Sequence, residues 1–485
     1  MKKNLSFLKS FTHVGIGTIG SMVIGFITTP IVTNLVNPDI YGKYSIFTLY
    51  ASISLMVLCL GLDQALIRFY YRDDSLDYKR SLLKECIFYP LILTVVFGII
   101  IFLLSFYQII HLDFGPTFIL LLTACVFFEI INRIDLILLR VSYQTSFYAV
   151  LQVSYKALFL CFALVGCFFS NFDKLYILVF SSLIAYFFVA ISGVLFQKSL
   201  WNFGRIKKCN GLLNKKELYS YSLPFILIMG ITSLFQAIDK LSLKHYCSYD
   251  EVGIYSCAIN LVHIFAIAQT TFNALWMPIA TEHYEKDPHD KSLYLKGNRI
   301  ICLIMFFIGF SLIFSKELIV LILGEKYRAA SYILPFLIFM PIMYTISETT
   351  VIGLVFKKKS NIQIIVVTLA CLTNIIGNII LVPLYAGKGA AISTGISYIV
   401  FFFARTYFAG RYYYVNWHLT RFVIITALAV AYSLYSTFFQ YNIFSVIGYI
   451  IAVVLLFVLY HDAVKEILFL SKNVLNSIKN RFCFS

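Results

Sequence analysis

The stretch Cys86-Ile-Phe-Tyr-Pro-Leu-Ile-Leu-Thr-Val-Val-Phe-Gly-Ile-Ile-Ile-Phe-Leu-Leu-Ser-Phe106 carries no charged side chain. As an α-helix it covers roughly 30 Å, the thickness of a bilayer's hydrocarbon core. It belongs to a predicted span near 84–107. Others fall near 13–35, 43–62, 115–139, 147–169, 174–196, 219–241, 252–279, 299–316, 330–356, 361–382, 389–409, 420–439 and 443–461. The expected fold is therefore an all-α membrane protein of about 14 transmembrane helices. Composition agrees. Of 485 residues, 60% are hydrophobic and 13% charged, with a mean hydropathy of +0.85. A soluble domain is roughly 45–50% apolar and about 25% charged. Lipid accommodates apolar surface that no soluble core of this length hides. The segment Met1-Lys2-Lys3 precedes an apolar run from His13 to Val36 of full spanning length, which reads as a first helix rather than a cleaved signal.

The net charge of +16 has its explanation in the loops. With a cytoplasmic N-terminus, one set of loops holds Arg68, Arg72, Lys79, Arg80 and Lys84, then Lys198, Arg205, Lys207, Lys208, Lys215 and Lys216. Later members are Lys357-Lys358-Lys359, and a tail with Lys465, Lys472, Lys479 and Arg481. The opposite set is poorer by about threefold, which is the positive-inside pattern. Both termini are expected in the cytoplasm, with the chain multi-pass in a membrane. Nucleic acid is excluded as a partner, since no soluble stretch is long enough for a nucleic-acid-binding domain. The outer loops, such as Gln108–Asp113 and Gln440–Asn442, are bare turns. The eleven cysteines form no C-x-x-C pair or Cys/His cluster, so neither a disulfide frame nor a metal site is expected.

An internal repeat divides the chain. Asp39-Ile-Tyr-Gly-Lys-Tyr-Ser45 follows the first span and Asp250-Glu-Val-Gly-Ile-Tyr-Ser256 the seventh, an offset of 211 residues. Both read D-x-x-G-x-Y-S and both open the next span. The expected organisation is a six-helix bundle over 1–197, a cytoplasmic linker over 198–218, and a second six-helix bundle over 219–410. Two extra helices and a basic tail then occupy 411–485. Parallel repeats of this kind occur in secondary transporters.

Ionisable groups inside spans are costly, so they tend to face a bundle interior or a watery cavity. The fourth span is densest, with Glu129, Asn132, Arg133, Asp135 and Arg140. At about 100° per residue, Glu129, Arg133 and Arg140 fall within about 40° of one another. Glu129 and Arg133, at i, i+4, can pair as a structural clamp; alternatively the stripe lines a cavity. Lys156, four residues after Gln152, suits an anion-binding cavity, or is a partner for Glu129 or Asp135. Lys240 is a further cavity candidate. Glu348, Asp239 and His263 are candidates for ion or proton coupling, against structural roles for each. Asn374 and Asn378 read as interhelical glue. Gly15, Gly17, Gly20, Gly25 and Pro30 in the first span, Pro224 and Gly230 in the seventh, and Pro335 and Pro341 in the tenth mark places where helices bend. No phosphate-cradling loop and no nucleophile–base pair stands out, which favours a secondary transporter without cofactor over a pump or an enzyme.

Several motifs carry a family resemblance: Gly61-Leu-Asp-Gln-Ala-Leu-Ile-Arg-Phe-Tyr-Tyr71, Tyr221-Ser-Leu-Pro224, Asp239-Lys240, Val252-Gly-Ile-Tyr255, Trp276-Met-Pro278 and Gly387-Lys-Gly-Ala-Ala391. In this order the chain resembles the Wzx-type O-antigen and capsule polysaccharide flippases of the multidrug/oligosaccharidyl-lipid/polysaccharide exporter superfamily. The resemblance implies two six-helix bundles around a central cavity. It also implies alternating-access transfer of undecaprenyl-pyrophosphate-linked oligosaccharide across the inner membrane, for O-antigen or capsule assembly. Membrane lipid and the polysaccharide polymerase and chain-length machinery are the implied partners. Arg133, Arg140 and Lys156 would meet the pyrophosphate, and Asn, Gln and Tyr the sugars. Two alternatives share the fold. A multidrug antiporter calls for an acidic or apolar cavity. Lipid II flippases often have an Arg in the first span, which this chain lacks. A glycan polymerase or ligase needs a large outer loop, and none is present.

Overall fold

The structure, a computed structural model, describes residues 2–109, 115–205, 214–359 and 361–469. Lys207, Lys208, Lys472, Lys479 and Arg481, and most of the Gln108–Asp113 turn, lie outside the described residues. The regular secondary structure of the described residues is all helical, with no strand among them. That follows from the solvent: in lipid each backbone N–H and C=O must be satisfied within its own segment or a closed sheet.

The chain forms two compact units, residues 1–241 with 248–256, and residues 242–247 with 257–469 of the described chain. The first holds α1 (Lys2–Leu35), α2 (Pro38–Leu58), α3 (Leu62–Phe69), α4 (Leu76–Phe106), α5 (Pro116–Val141), α6 (Thr145–Phe169), α7 (Lys174–Phe196) and α8 (Lys198–Trp201). It also holds most of α9 (Lys215–Tyr246) and the start of α10 (Tyr249–Val262). Starts are set by local chemistry. Pro38 opens α2 and Pro116 opens α5, where a missing N–H costs nothing. Ser75 and Asp173 accept from Tyr78 and Leu175 N–H groups to cap α4 and α7. Within this unit α1 packs on α6, α6 on α7, and α5 on both α4 and α7.

A break at Leu60 and Gly61, both at positive φ (51° and 67°), bends α3 by 52° from α2. Glycine is required at position 61. Its φ is left-handed, and a Cβ there would lie 2.3 Å from the Ser222 carbonyl oxygen of α9. The two copies of the repeat meet directly. A Cβ on Gly42 would fall 1.9 Å from the Tyr249 carbonyl oxygen, and one on Gly253 2.1 Å from that of Pro38. Ser45 and Ser256 share a buried hydroxyl–hydroxyl hydrogen bond of 2.7 Å.

The second unit holds α11 (Ala266–Lys286), α12 (Ser292–Phe314), α13 (Lys316–Val320), α14 (Leu334–Leu337), α15 (Phe339–Thr350), α16 (Ile352–Phe356), α17 (Ile362–Gly410), α18 (Leu419–Phe438) and α19 (Ile443–Leu459). Pro335 and Pro341 lie in the fragmented tenth span, whose 3₁₀ lead-in over Glu325–Tyr332 is bent by 53° from the helix that follows. Helix α17 turns at Ala386 (φ 48°, ψ −129°). Its arms run antiparallel. Asn374 meets Thr394 at 3.2 Å and Asn378 meets Ser393 at 3.2 Å, so these asparagines bond between helices. Among the described residues ten helices are long and apolar enough to span alone, or thirteen if each bent pair counts once. Counting both arms of α17 gives the fourteen segments expected from the sequence.

Candidate functional site

A cavity of about 490 Å³ opens within the first unit. Its walls come from α3, α5, α6 and α7, with Ser21 of α1 and Leu55 of α2. Five of the expected site residues line it: Glu129, Asn132, Arg133, Arg140 and Lys156. Helix α5 supplies four of them, because its polar positions recur on one face.

The chief partner of Arg133 is Asp63 rather than Glu129. Nη2 and Nε of Arg133 donate to Oδ2 of Asp63 at 2.6 and 3.0 Å. Gln64 Nε2 donates to the same oxygen at 3.1 Å. The Asp63 side chain is fully buried, while Arg133 keeps 30% of its side-chain exposure. The bend at Gly61 makes this possible by turning α3 so that Asp63 confronts α5. Glu129 lies beside the Tyr186 hydroxyl, with Arg133 and Lys156 in electrostatic range. Lys156 sits 5.5 Å from the Tyr155 ring, which stacks on Tyr186 with centroids 4.3 Å apart. Arg140, at the C-terminal end of α5, is exposed; its guanidinium has no ion pair or hydrogen bond among the described residues. Three cations thus face two carboxylates in this cavity, and among the described residues the Arg140 guanidinium has no carboxylate partner.

The remaining sequence candidates lie elsewhere. Asp135 is fully buried away from the cavity, where Trp201 Nε1 donates to Oδ1 at 2.9 Å and Gln197 Nε2 approaches at 3.4 Å. It stands about 120° around α5 from Glu129, so the helical period itself turns it away. Lys240 Nζ donates to Ser45 Oγ at 2.8 Å, and Asp239 Oδ2 accepts from the Tyr255 hydroxyl at 2.6 Å. Both therefore belong to the surroundings of the repeat contact. His263 is exposed on a 3₁₀ turn over His263–Phe265. In the second unit Glu348 accepts from Arg405 Nη1 at 2.7 Å, and the same nitrogen donates to Ser347 Oγ at 2.7 Å. Sequence reading gives Tyr186 and Arg405 no site role, and Asp63 and Gln64 enter it only as members of the Gly61–Tyr71 motif. Asp63 stands 70 residues from Arg133, and its signal in the sequence is its place in the Gly61–Tyr71 motif.

The fold, many long apolar helices with a charged cavity in the first unit, is one that solved membrane proteins share. One solved structure, titled lipid II flippase MurJ in an inward closed conformation, matches with a TM-score of 0.66 at 14% identity, covering 94% of this chain and 99% of that one. An outward-facing multidrug resistance MATE transporter of the MOP superfamily matches with a TM-score of 0.55 at 14% identity, covering 83% and 95%. The chain belongs to the polysaccharide biosynthesis protein family, whose model matches residues 7–283. A curated relative, the capsular polysaccharide biosynthesis protein CapF of Staphylococcus aureus, is 25% identical over 209 residues. That match covers 42% of this chain and 52% of CapF, so the chain spans about half the length of the curated relative it matches.

Proposed function

We propose that the protein is a flippase for lipid-linked oligosaccharide, carrying an undecaprenyl-pyrophosphate-bound glycan across the bacterial cytoplasmic (inner) membrane by alternating access. Polysaccharide polymerase and chain-length proteins would take its product. No bond is made or broken in this role, so the chain acts as a transporter and not an enzyme. Both termini would face the cytoplasm, as the basic loops favour.

One observation carries the reading: the charge distribution of the cavity. Its carboxylates, Asp63 and Glu129, have cations beside them, and Arg140 is left over. Such a wall offers hydroxyls and amides to sugars, from Tyr148, Tyr155, Tyr186, Gln64, Gln152 and Asn132. It offers a positive charge at one end for phosphate. A cation exporter calls for the reverse, an uncompensated carboxylate.

The test is surface glycan display in cells whose own flippase is deleted, paired with transfer of lipid-linked oligosaccharide in proteoliposomes. R140Q should lower both by about tenfold or more, as expected for losing one charge-assisted phosphate contact. No glycan transfer by the parent chain, together with organic-cation efflux, would replace this reading with the antiporter.

A further inference from the structure

Beyond the end of α3 a second cavity of about 890 Å³ opens, still within the first unit. One wall is the last turn of α3 and the corner that follows, with Arg68, Phe69, Tyr71 and Arg72. The other is the start of α9, with Glu217 and Tyr221. The charged groups lining it are two guanidiniums and one carboxylate.

Their arrangement is specific. Arg72 Nη1 and Nη2 donate to Glu217 Oε2 and Oε1 at 2.8 and 2.6 Å, a two-pronged grip, while the guanidinium lies 4.9 Å from the Phe69 ring. The Arg68 guanidinium has no hydrogen bond or ion pair among the described residues, yet lies close enough to act on Glu217 electrostatically. The fork of a guanidinium fits two oxygens of a phosphoryl group as it fits a carboxylate. One anion therefore serves two forks. The Arg72–Glu217 pair is also readily exchanged, because its side chains are 39% and 44% exposed.

The cavity adjoins the first one. The Tyr71 hydroxyl donates to the Val141 carbonyl, one residue beyond Arg140. Helix α3 itself carries Asp63 into the first cavity and Arg68 into the second.

We propose that this second cavity is a docking site for a diphosphate group, in which Glu217 holds Arg72 until the diphosphate displaces it. One phosphoryl then takes the Arg72 fork and the other takes Arg68. The inference rests on the proposed diphosphate-linked substrate, and it assigns that substrate a receiving site separate from the glycan-lined cavity. The diphosphate chemistry is shared by a lipid-linked headgroup and a free diphosphate.

The test uses the full chain in nanodiscs of phosphatidylcholine, titrated with inorganic diphosphate, inorganic phosphate and farnesyl diphosphate. E217Q should bind diphosphate about tenfold tighter than the parent, since the competing anion is gone, and R68Q and R72Q about tenfold weaker. R72K, which keeps charge without the fork, should fall between R72Q and the parent and controls for misfolding, as does a parent-like melting curve. Tighter binding of farnesyl than of inorganic diphosphate assigns the site to a lipid headgroup; equal binding assigns it to the diphosphate alone. If E217Q leaves affinity unchanged while R140Q removes it, the second site is overturned and the flippase reading stands. If no variant binds diphosphate and glycan transfer also fails, both fall.

Discussion

Replacing Asp63 with Asn, Arg133 with Gln, and both together separates a cavity-lining pair from a simple clamp, and the structure sets the expected asymmetry. Removing one partner of a buried ion pair costs about 3–5 kcal/mol. That range applies in full to R133Q. It strands a fully buried Asp63 whose Oδ1 already lacks a hydrogen-bond partner, leaving Gln64 as the donor to Oδ2. D63N is milder, about 2–3 kcal/mol, because Arg133 keeps 30% exposure to the cavity and has Glu129 nearby. The double variant should recover about 2 kcal/mol relative to the sum, the coupling expected of residues in direct contact. Unfolding free energies from steric trapping in bicelles measure all four corners of the cycle. Equal costs for the two single variants would refute the claim that Arg133 reaches a wet cavity. Additivity within about 0.5 kcal/mol would refute the pair itself.

Two further outcomes follow from packing and charge. G42A should lower thermal stability by about 1–3 kcal/mol or more, since the added methyl meets the Tyr249 carbonyl at 1.9 Å; a melting midpoint equal to the parent's would show that the repeat contact is loose. E348Q should destabilise by about 3–5 kcal/mol, because Arg405 would stay buried between Tyr344 and Phe401 without its carboxylate, whereas E348M with R405M should regain most of that loss. A double variant as unstable as E348Q would mean the pair contributes by shape alone.

Spanning segments were legible because their signal is local: length, apolarity and the absence of charge decide each one within some twenty residues. The same locality explains the boundary differences. The second segment begins at Pro38 rather than 43, since Pro38 is a ready first residue for a helix and the polar turn winds into it. On α5, helical spacing alone places Glu129, Arg133 and Arg140 on one face, and all three line one cavity. Asp63 was not legible. Its position depends on two successive left-handed residues, Leu60 and Gly61, and nothing local announces that the chain turns there to face a helix 70 residues on. Arg405 was hidden for a related reason: its partner Glu348 lies on a separate helix, 57 residues away.

The two intramembrane acid–arginine pairs show how exposure, not composition, decides what such a pair does. Arg405 and Glu348 keep only 9% and 8% of their side-chain exposure, with Tyr344 and Phe401 against the guanidinium. That guanidinium is enclosed between α15 and α17. Arg133 holds its carboxylate just as closely, at 2.6 Å, but from the wall of a cavity, with one carboxylate oxygen of Asp63 carrying the bonds from both Arg133 and Gln64. Under the proposed function, a sugar hydroxyl entering there would meet a donor already fixed in place by Asp63. The net positive charge falls to Arg140 at the end of the helix, beside the corner where Arg68 and Arg72 stand. A substrate with a neutral glycan and a charged diphosphate would be sorted along this gradient. Its sugars would face the compensated interior and its phosphates the uncompensated end.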